Sequence, residues 1–162
     1  MYYAIVATLM FAFPLLSVGI EATAGRAALS AALVGKWFVF WSVGIRLVLA
    51  GVRQIAQPEY TAHVILGFKS NESLLLVREL GFANFALGVV GILSLLFPAW
   101  RLPAALAGAL FYGLAGVNHL LQPHRNPFEN VAMVSDLFVS AVLFAALTVI
   151  VLQAWSGRMS AG

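Results

Sequence analysis

Five apolar segments alternate with short polar stretches along the chain. The segments cover residues 2–22, 32–57, 73–97, 102–122 and 127–155, and we number them 1 to 5 in this order. Each is long enough to cross a bilayer, because about 20 helical residues span its hydrocarbon core. The pattern therefore predicts an all-α integral membrane protein with five transmembrane helices, in which residues 1–162 form a single transmembrane domain.

Local signals add detail to the ends and the interior of these segments. Pro14 lies in the middle of segment 1 and predicts a kink, with a neighbouring helix satisfying the carbonyl that the proline frees. Asn126, Pro127 and Glu129 have the spacing of a capping box at the start of segment 5. Residues 59–72 are too short to span and predict an interfacial turn or a short surface helix.

Small residues recur at three- and four-residue steps in segment 3. The set consists of Gly81, Asn84, Gly88, Gly91 and Ser94. Such a stripe allows another helix to approach closely. We therefore expect a helix-packing face here, and not a nucleotide-binding loop.

The end of segment 2 resembles the end of segment 4. Residues 49–58 read LAGVRQIAQP and residues 114–123 read LAGVNHLLQP, with six identities in ten positions. Extending the alignment backwards pairs Lys36 with Arg101 at the two helix beginnings. This similarity predicts two parallel hairpin repeats, segments 2–3 and segments 4–5, which form a four-helix bundle with segment 1 packed outside it. The alternative is that both helices end in Gln-Pro for the same local reason.

Composition supports membrane insertion and excludes several kinds of site. The 162 residues are 62% hydrophobic and only 9% charged, which is too little charge to cover the surface of a soluble domain. The absence of cysteine excludes disulfides, thiolate metal sites and cysteine nucleophiles. No run of lysine and arginine exists, so no nucleic-acid partner is expected. The expected partners are the lipid bilayer and either another membrane protein or a second copy of the chain.

The distribution of positive charge indicates an orientation. Apart from the deeper Arg46, four lysines and arginines fall on each side of the predicted membrane. Those on the side where segment 1 begins have acidic residues nearby, whereas those on the opposite side lie in short turns. Because unpaired positive charge favours the cytoplasm, we expect the C-terminus to be cytoplasmic. Glu21 and Lys36 are expected to form an ion pair on that side.

Seven polar residues are expected to lie inside the membrane, near the face at which segment 1 begins. They are Arg46, Arg53, Glu79, Asn84, Asn118, His119 and Asp136. The helical rise places them roughly 5–15 Å inside this face, with Arg46 deepest. Each buried charge costs roughly 2.5–3.5 kcal/mol on insertion scales, so we expect the arginines and carboxylates to neutralise one another. In particular, Arg53 is expected to contact Glu79 or Asp136, directly or through one water.

Two interpretations of this polar set stay open. The set is either a ligand site or a network that only fixes the register of the helices. Interhelical polar contacts contribute a modest ~0.6 kcal/mol on average, which makes charge pairs an inefficient way of holding helices together. The histidines, His63, His119 and His124, match no known ligand spacing, so no metal site is predicted and the cofactor is unknown.

Several stretches resemble an uncharacterised family of small bacterial polytopic membrane proteins. They are GKWFVFW at 35–41, LAGVRQIAQP at 49–58, VRELGFANF at 77–85, FYGLAGVNH at 111–119 and NVAMVSDLF at 130–138. The helical bundle is also distantly similar to the DoxX-like group, some members of which accompany redox systems. The resemblance covers nearly the whole chain. It implies a multi-pass protein of the bacterial inner membrane, and it implies no activity.

Three functions are consistent with these observations. The first is binding or transport of a small or lipophilic ligand in a buried charged pocket. The second is an accessory subunit of a larger membrane complex, suggested by the small size and the glycine-rich faces. The third is an intramembrane enzyme on a lipophilic substrate, with His119 and either Asp136 or Glu79 as acid–base groups. The sequence does not identify a catalytic residue.

Overall fold

A computed structural model describes residues 2–159 of the chain, and the side chains of residues 2–158. Five helices are long and apolar enough to cross a membrane, and residues 2–159 contain no strand. The helices are α1 at Tyr2–Thr23, α2 at Ala31–Ala56, α3 at Leu74–Leu93, α4 at Arg101–Leu121 and α5 at Pro127–Met159. Compared with the predicted segments, α3 ends earlier, at Leu93, and α5 continues beyond residue 155.

Four of the five helices form the apolar core. Its buried members include Val6 and Met10 of α1, Phe38 and Val43 of α2, Ala109 of α4 and Leu143 of α5. From α3, only the partly buried Leu87 and Val90 pack against this cluster. The predicted position of the first helix, outside the bundle, is therefore wrong, because α1 contributes to the core. Helix α3 packs mainly against α2 and touches the core through Leu87 and Val90.

Glycines hold α3 against α2 at backbone contact distance. A Cβ atom on Gly51 would lie 2.6 Å from the amide nitrogen of Phe85, and one on Gly88 would lie 2.6 Å from that of Val48. The predicted small-residue stripe of α3 is confirmed as a packing face, because all five of its members are buried. Because this face carries no large side chain, α3 packs closely against α2 and contributes few side chains to the common core.

Two π-helical turns interrupt α1 and α2. They cover Thr8–Ala12 in α1 and Val39–Ile45 in α2. In a π-helical turn, the carbonyl of Leu9 would accept a hydrogen bond from the amide five residues later. That residue is Pro14, which has no N–H. Ser42 Oγ donates to this carbonyl instead, at 3.2 Å, as predicted for a proline-freed carbonyl. Tyr112 donates its hydroxyl to the carbonyl of Ser42, so hydrogen bonds connect α4 to α2 and α2 to α1.

Side chains cap or pair at both ends of the bundle. The Asn126 side-chain oxygen accepts from the amides of Phe128 and Glu129, at 2.8 and 3.0 Å, and the Glu129 carboxylate accepts from the Asn126 amide at 2.9 Å. The predicted capping box is confirmed. At the opposite end, Lys36 Nζ lies 2.7 Å from the Glu21 carboxylate, which confirms that ion pair.

The connection between α2 and α3 contains the predicted short helix, a π-helical stretch at Tyr60–Ile65. The Asn126 side-chain amide donates to the carbonyl of Ile65 at 2.8 Å. His63 contacts the carbonyl of Phe68 at 2.7 Å and the side-chain oxygen of Asn71 at 3.1 Å. The short helix is therefore fixed to the start of α5 and across its own loop. It lies at the N-terminal face, the end of the bundle at which α1 begins.

Candidate functional site

A cavity of about 540 Å³ lies at the N-terminal half of the bundle. Residues from all five helices and from the short helix Tyr60–Ile65 line its wall. Arg46 precedes the last residue of α2 by ten positions, and Asp136 follows the first residue of α5 by nine. At 1.5 Å per residue, both lie roughly 14 Å inside the N-terminal face.

Five of the seven residues singled out in the sequence line this cavity. They are Arg46, Arg53, Asn84, His119 and Asp136. Glu79 and Asn118 do not line it and are exposed on the outer sides of α3 and α4. Glu79 lies two positions from the buried Gly81, and Asn118 two positions from the buried Gly116. Two positions turn a helix by roughly 200°, so both side chains point away from the bundle.

Arg46 and Asp136 form the deep part of the polar wall. Arg46 is the charged group that acts electrostatically on Asp136, and it also acts on the hydroxyl groups of Tyr2 and Tyr112. Arg46 and Asp136 do not form a direct ion pair, because Lys36–Glu21 is the one salt bridge among the described residues. The Nε of Arg46 is buried without a hydrogen-bond partner. Arg46 therefore acts on Asp136 electrostatically without a direct contact, and part of its donor capacity is unused.

Arg53 lies nearer the N-terminal face. Its guanidinium carbon is 4.0 Å from the ring centroid of Tyr60, and its Nε is buried without a hydrogen-bond partner. The predicted direct contact with Glu79 or Asp136 is wrong, since neither carboxylate lies within ion-pair distance. Glu79 points outward, and the level of Asp136 is about seven residues of α2 deeper, or roughly 10 Å.

Further polar groups without partners lie on the same wall. Asn84 donates to Gln54 Oε1 at 2.8 Å, and both side chains are buried, but the side-chain oxygen of Asn84 has no donor. His119 Nδ1 is likewise buried and unpaired. An unsatisfied buried polar atom costs about 1–3 kcal/mol, so several in one cavity are well placed to bind a ligand.

Gln54 and Tyr60 were not among the residues predicted from the sequence, although both line the cavity. Gln54 carries a usable signal, because it is a polar residue inside an apolar segment and directly follows Arg53. Tyr60 carries none, because its ring reaches Arg53 only through the local fold of the short helix.

The cavity opens on the outer surface of the bundle. Leu49, Val52 and Leu80 line it, and they are 49%, 48% and 39% exposed. Apolar side chains exposed on a transmembrane helix face lipid when the helix is in a bilayer. The opening is thus lateral, between apolar side chains of α2 and α3.

The end of the cavity towards the N-terminal face is covered. Thr61, Ile65 and Leu66 line it, and they follow the end of α2. The short helix Tyr60–Ile65 therefore lies between the cavity and the N-terminal face of the bundle. Among residues 2–159, no group of three histidine, aspartate or glutamate side chains is close enough to hold a metal ion.

The chain belongs to DUF6790, a family of unknown function, whose model matches residues 1–161. This agrees with the resemblance noted across nearly the whole sequence, and it brings no activity. No curated protein and no solved structure shows significant similarity to the chain.

Proposed function

We propose that this member of a family of unknown function binds a lipophilic ligand, taken up from the bilayer, in the cavity between its helices. The proposal is supported by one observation: a laterally open cavity of about 540 Å³ that contains buried polar groups without partners. Ligand sites are typically clefts of ~300–1,000 Å³ with largely apolar walls and a few convergent polar groups. The apolar part of the ligand would enter between Leu49 and Leu80, and its polar part would meet the wall that includes Arg46.

Acid–base catalysis on the bound ligand is a second candidate. It is supported by the presence of His119 and Asp136 in the wall of the same cavity. Glu79 is not part of this candidate, because it points outward. Recovery of the same ligand, chemically unaltered, from the wild-type protein and from His119→Gln would argue against catalysis. The hypothesis of an accessory subunit stays a prediction, and co-purification in mild detergent tests it.

Filling the cavity should remove the ligand without unfolding the protein. Ala115 of α4 lines the cavity, so Ala115→Phe would place a ring where the ligand is proposed to bind. We expect the protein to melt within a few degrees of wild type and to lose most of the lipid-soluble molecule that co-purifies with it. Organic extraction followed by mass spectrometry measures that loss.

The matched control for this substitution is Ala141→Phe, which adds the same ring on the exposed surface of α5. It should retain the extracted molecule at the wild-type level. Equal retention by Ala115→Phe and wild type would show that the co-purified molecule binds elsewhere.

We also propose that the protein is a multi-pass protein of a bacterial inner membrane with its C-terminus in the cytoplasm. The support is the position of Arg26, Arg101 and Arg158 at the end of the bundle opposite the cavity. A C-terminal alkaline phosphatase fusion should be inactive, whereas a C-terminal green fluorescent protein fusion should fluoresce. The reverse result would invert the orientation and place the covered end of the cavity at the cytoplasm.

A further inference from the structure

We infer that the ligand of this cavity is an amphiphile with an anionic head group, which binds Arg53 beneath the short helix Tyr60–Ile65. This inference rests on the proposed function and adds the chemical class of the ligand.

The first step is the charge of the cavity wall. Its residues of the charged types are Arg46, Arg53 and Asp136. Asp136 lies at the deep end of the cavity, where the cation that acts on it electrostatically is Arg46. Arg53 has no carboxylate within ion-pair distance, so its positive charge is left without a counter-charge. A cation inside a membrane span is normally paired, because the surrounding hydrocarbon cannot solvate it.

The second step is the set of contacts that Arg53 makes. The Tyr60 ring stacks on the guanidinium at 4.0 Å, which stabilises the cation through its π face. A guanidinium also has five N–H donors in its plane, and stacking uses none of them. No residue that the structure describes accepts a hydrogen bond from the Arg53 guanidinium, and its Nε is shielded from solvent. The stacked ring therefore holds the guanidinium in place while its donors stay available.

The third step is that the carboxylates near Arg53 do not supply its missing counter-charge. The acidic residues closest to Arg53 in sequence or depth are Glu59, Glu79 and Glu129. Glu59 and Glu79 are exposed, whereas Glu129 is buried and its carboxylate accepts from the Asn126 amide. None of the three lies within ion-pair distance of Arg53. An anionic ligand inside the cavity, in contrast, can approach Arg53 directly. A planar guanidinium can bind a carboxylate or a phosphate through two parallel hydrogen bonds.

The fourth step is the shape of the space around Arg53. Arg53 precedes the end of α2 by three residues, so it lies roughly 5 Å inside the N-terminal face. Leu49 and Val52 line the lateral opening on the same helix. An anionic head at Arg53 would therefore leave an attached apolar chain free to pass between these apolar side chains, through the opening and into lipid. This arrangement suits a molecule with one compact head and one chain.

The test compares three probes that differ only in the head group: laurate, methyl laurate and laurylamine. Binding is measured by isothermal titration and by thermal shift, with the purified full-length protein in a non-ionic detergent. Loss of one charge-assisted interaction weakens binding on the order of ten- to a hundred-fold. We therefore expect laurate to bind wild type at least about ten-fold more tightly than methyl laurate, and laurylamine to bind least.

The variants assign this preference to one side chain. Arg53→Gln should bind laurate and methyl laurate equally, and Arg53→Lys should keep part of the preference. Arg78→Gln is the matched control, because Arg78 is exposed on α3 and does not line the cavity, and it should bind like wild type. Equal binding of laurate and methyl laurate to wild type would overturn the anionic head group, and an unchanged preference in Arg53→Gln would overturn its binding to Arg53.

The same binding measurements distinguish failure of the proposed function from failure of this inference. If Ala115→Phe binds laurate as tightly as wild type does, the probe does not occupy the cavity and both conclusions are lost. If Ala115→Phe abolishes binding of methyl laurate and laurate alike, while Arg53→Gln changes neither, the cavity is the site and the ligand is neutral. Absence of binding by all three probes would reject single-chain amphiphiles as its ligands.

Discussion

Replacing Gly88 by alanine is expected to detach α3 from α2 and to cause one of the largest losses of stability that a single methyl group can cause in this protein. The added Cβ would lie 2.6 Å from the amide nitrogen of Val48 and 2.9 Å from the carbonyl oxygen of Gly44. Backbone atoms cannot rotate away as a side chain can, so the helices must separate. Overpacking typically costs about 1–3 kcal/mol, and we expect the upper part of that range.

Thermal unfolding in detergent measures this loss as a lower Tm. Gly19→Ala is the control, because Gly19 lies in α1 with nothing within 4 Å of the position of a Cβ atom. That substitution should leave Tm unchanged or raise it slightly, since alanine favours a helix over glycine. A wild-type Tm for Gly88→Ala would mean that α3 does not pack on α2 as closely as described.

The same glycines show which part of the fold could be predicted from the sequence. Hydropathy and length identify five spans, because each span must be apolar along about 20 residues. They do not identify the neighbours of each span, since both α1 and α3 are apolar enough to span, with mean hydropathies of 2.0 and 1.6. The difference lies in the packing faces: α1 places Val6 and Met10 in the core, whereas α3 presents Gly88 and Gly91 to one helix. A stripe of glycines thus indicates close contact with a single partner helix.

The repeat predicted from the matching decapeptides stays a prediction. The two stretches do end their helices at equivalent positions, at Ala56 in α2 and Leu121 in α4. Their equivalent polar residues nevertheless face differently, because Arg53 lines the cavity and Asn118 is exposed on the outer surface. The next pair of equivalent residues, Gln54 and His119, does line the cavity in both copies. The two hairpins therefore share one position of the polar wall and differ at the other.

The sequence predicted the depth of the polar residues, but it predicted only in part which of their side chains point inward. Helical rise placed all seven candidate residues roughly 5–15 Å inside one face, and five of them line one cavity. Whether a side chain points inward depends on the rotation of its helix, which an almost uniformly apolar segment does not reveal. The pairing of charges depended on the same information. Arg53 was assigned a carboxylate on grounds of depth, whereas the charged group acting on Asp136 is Arg46.

This reassignment of the charges predicts the second large effect. Replacing Arg46 by leucine would leave Asp136 roughly 14 Å inside the N-terminal face of the bundle without its neighbouring cation. Breaking a buried charge pair from one side typically costs about 3–5 kcal/mol, more than removing both partners. The cavity lets the two groups keep some polar surroundings, so we expect about 3 kcal/mol for Arg46→Leu. Adding Asp136→Asn should restore part of that stability, because the uncompensated charge is then gone.

The decisive comparison is a pair of double-mutant cycles read from Tm in the same detergent. In the first cycle, Asp136→Asn should rescue Arg46→Leu, with a coupling clearly above the ~0.3–0.5 kcal/mol within which independent sites add. In the second cycle, Asp136→Asn should fail to rescue Arg53→Leu, because Arg53 stacks on Tyr60 roughly 10 Å closer to the membrane face. Rescue of Arg53→Leu and not of Arg46→Leu would reverse the assignment. It would pair Asp136 with Arg53 and remove the uncompensated cation on which the anionic ligand depends.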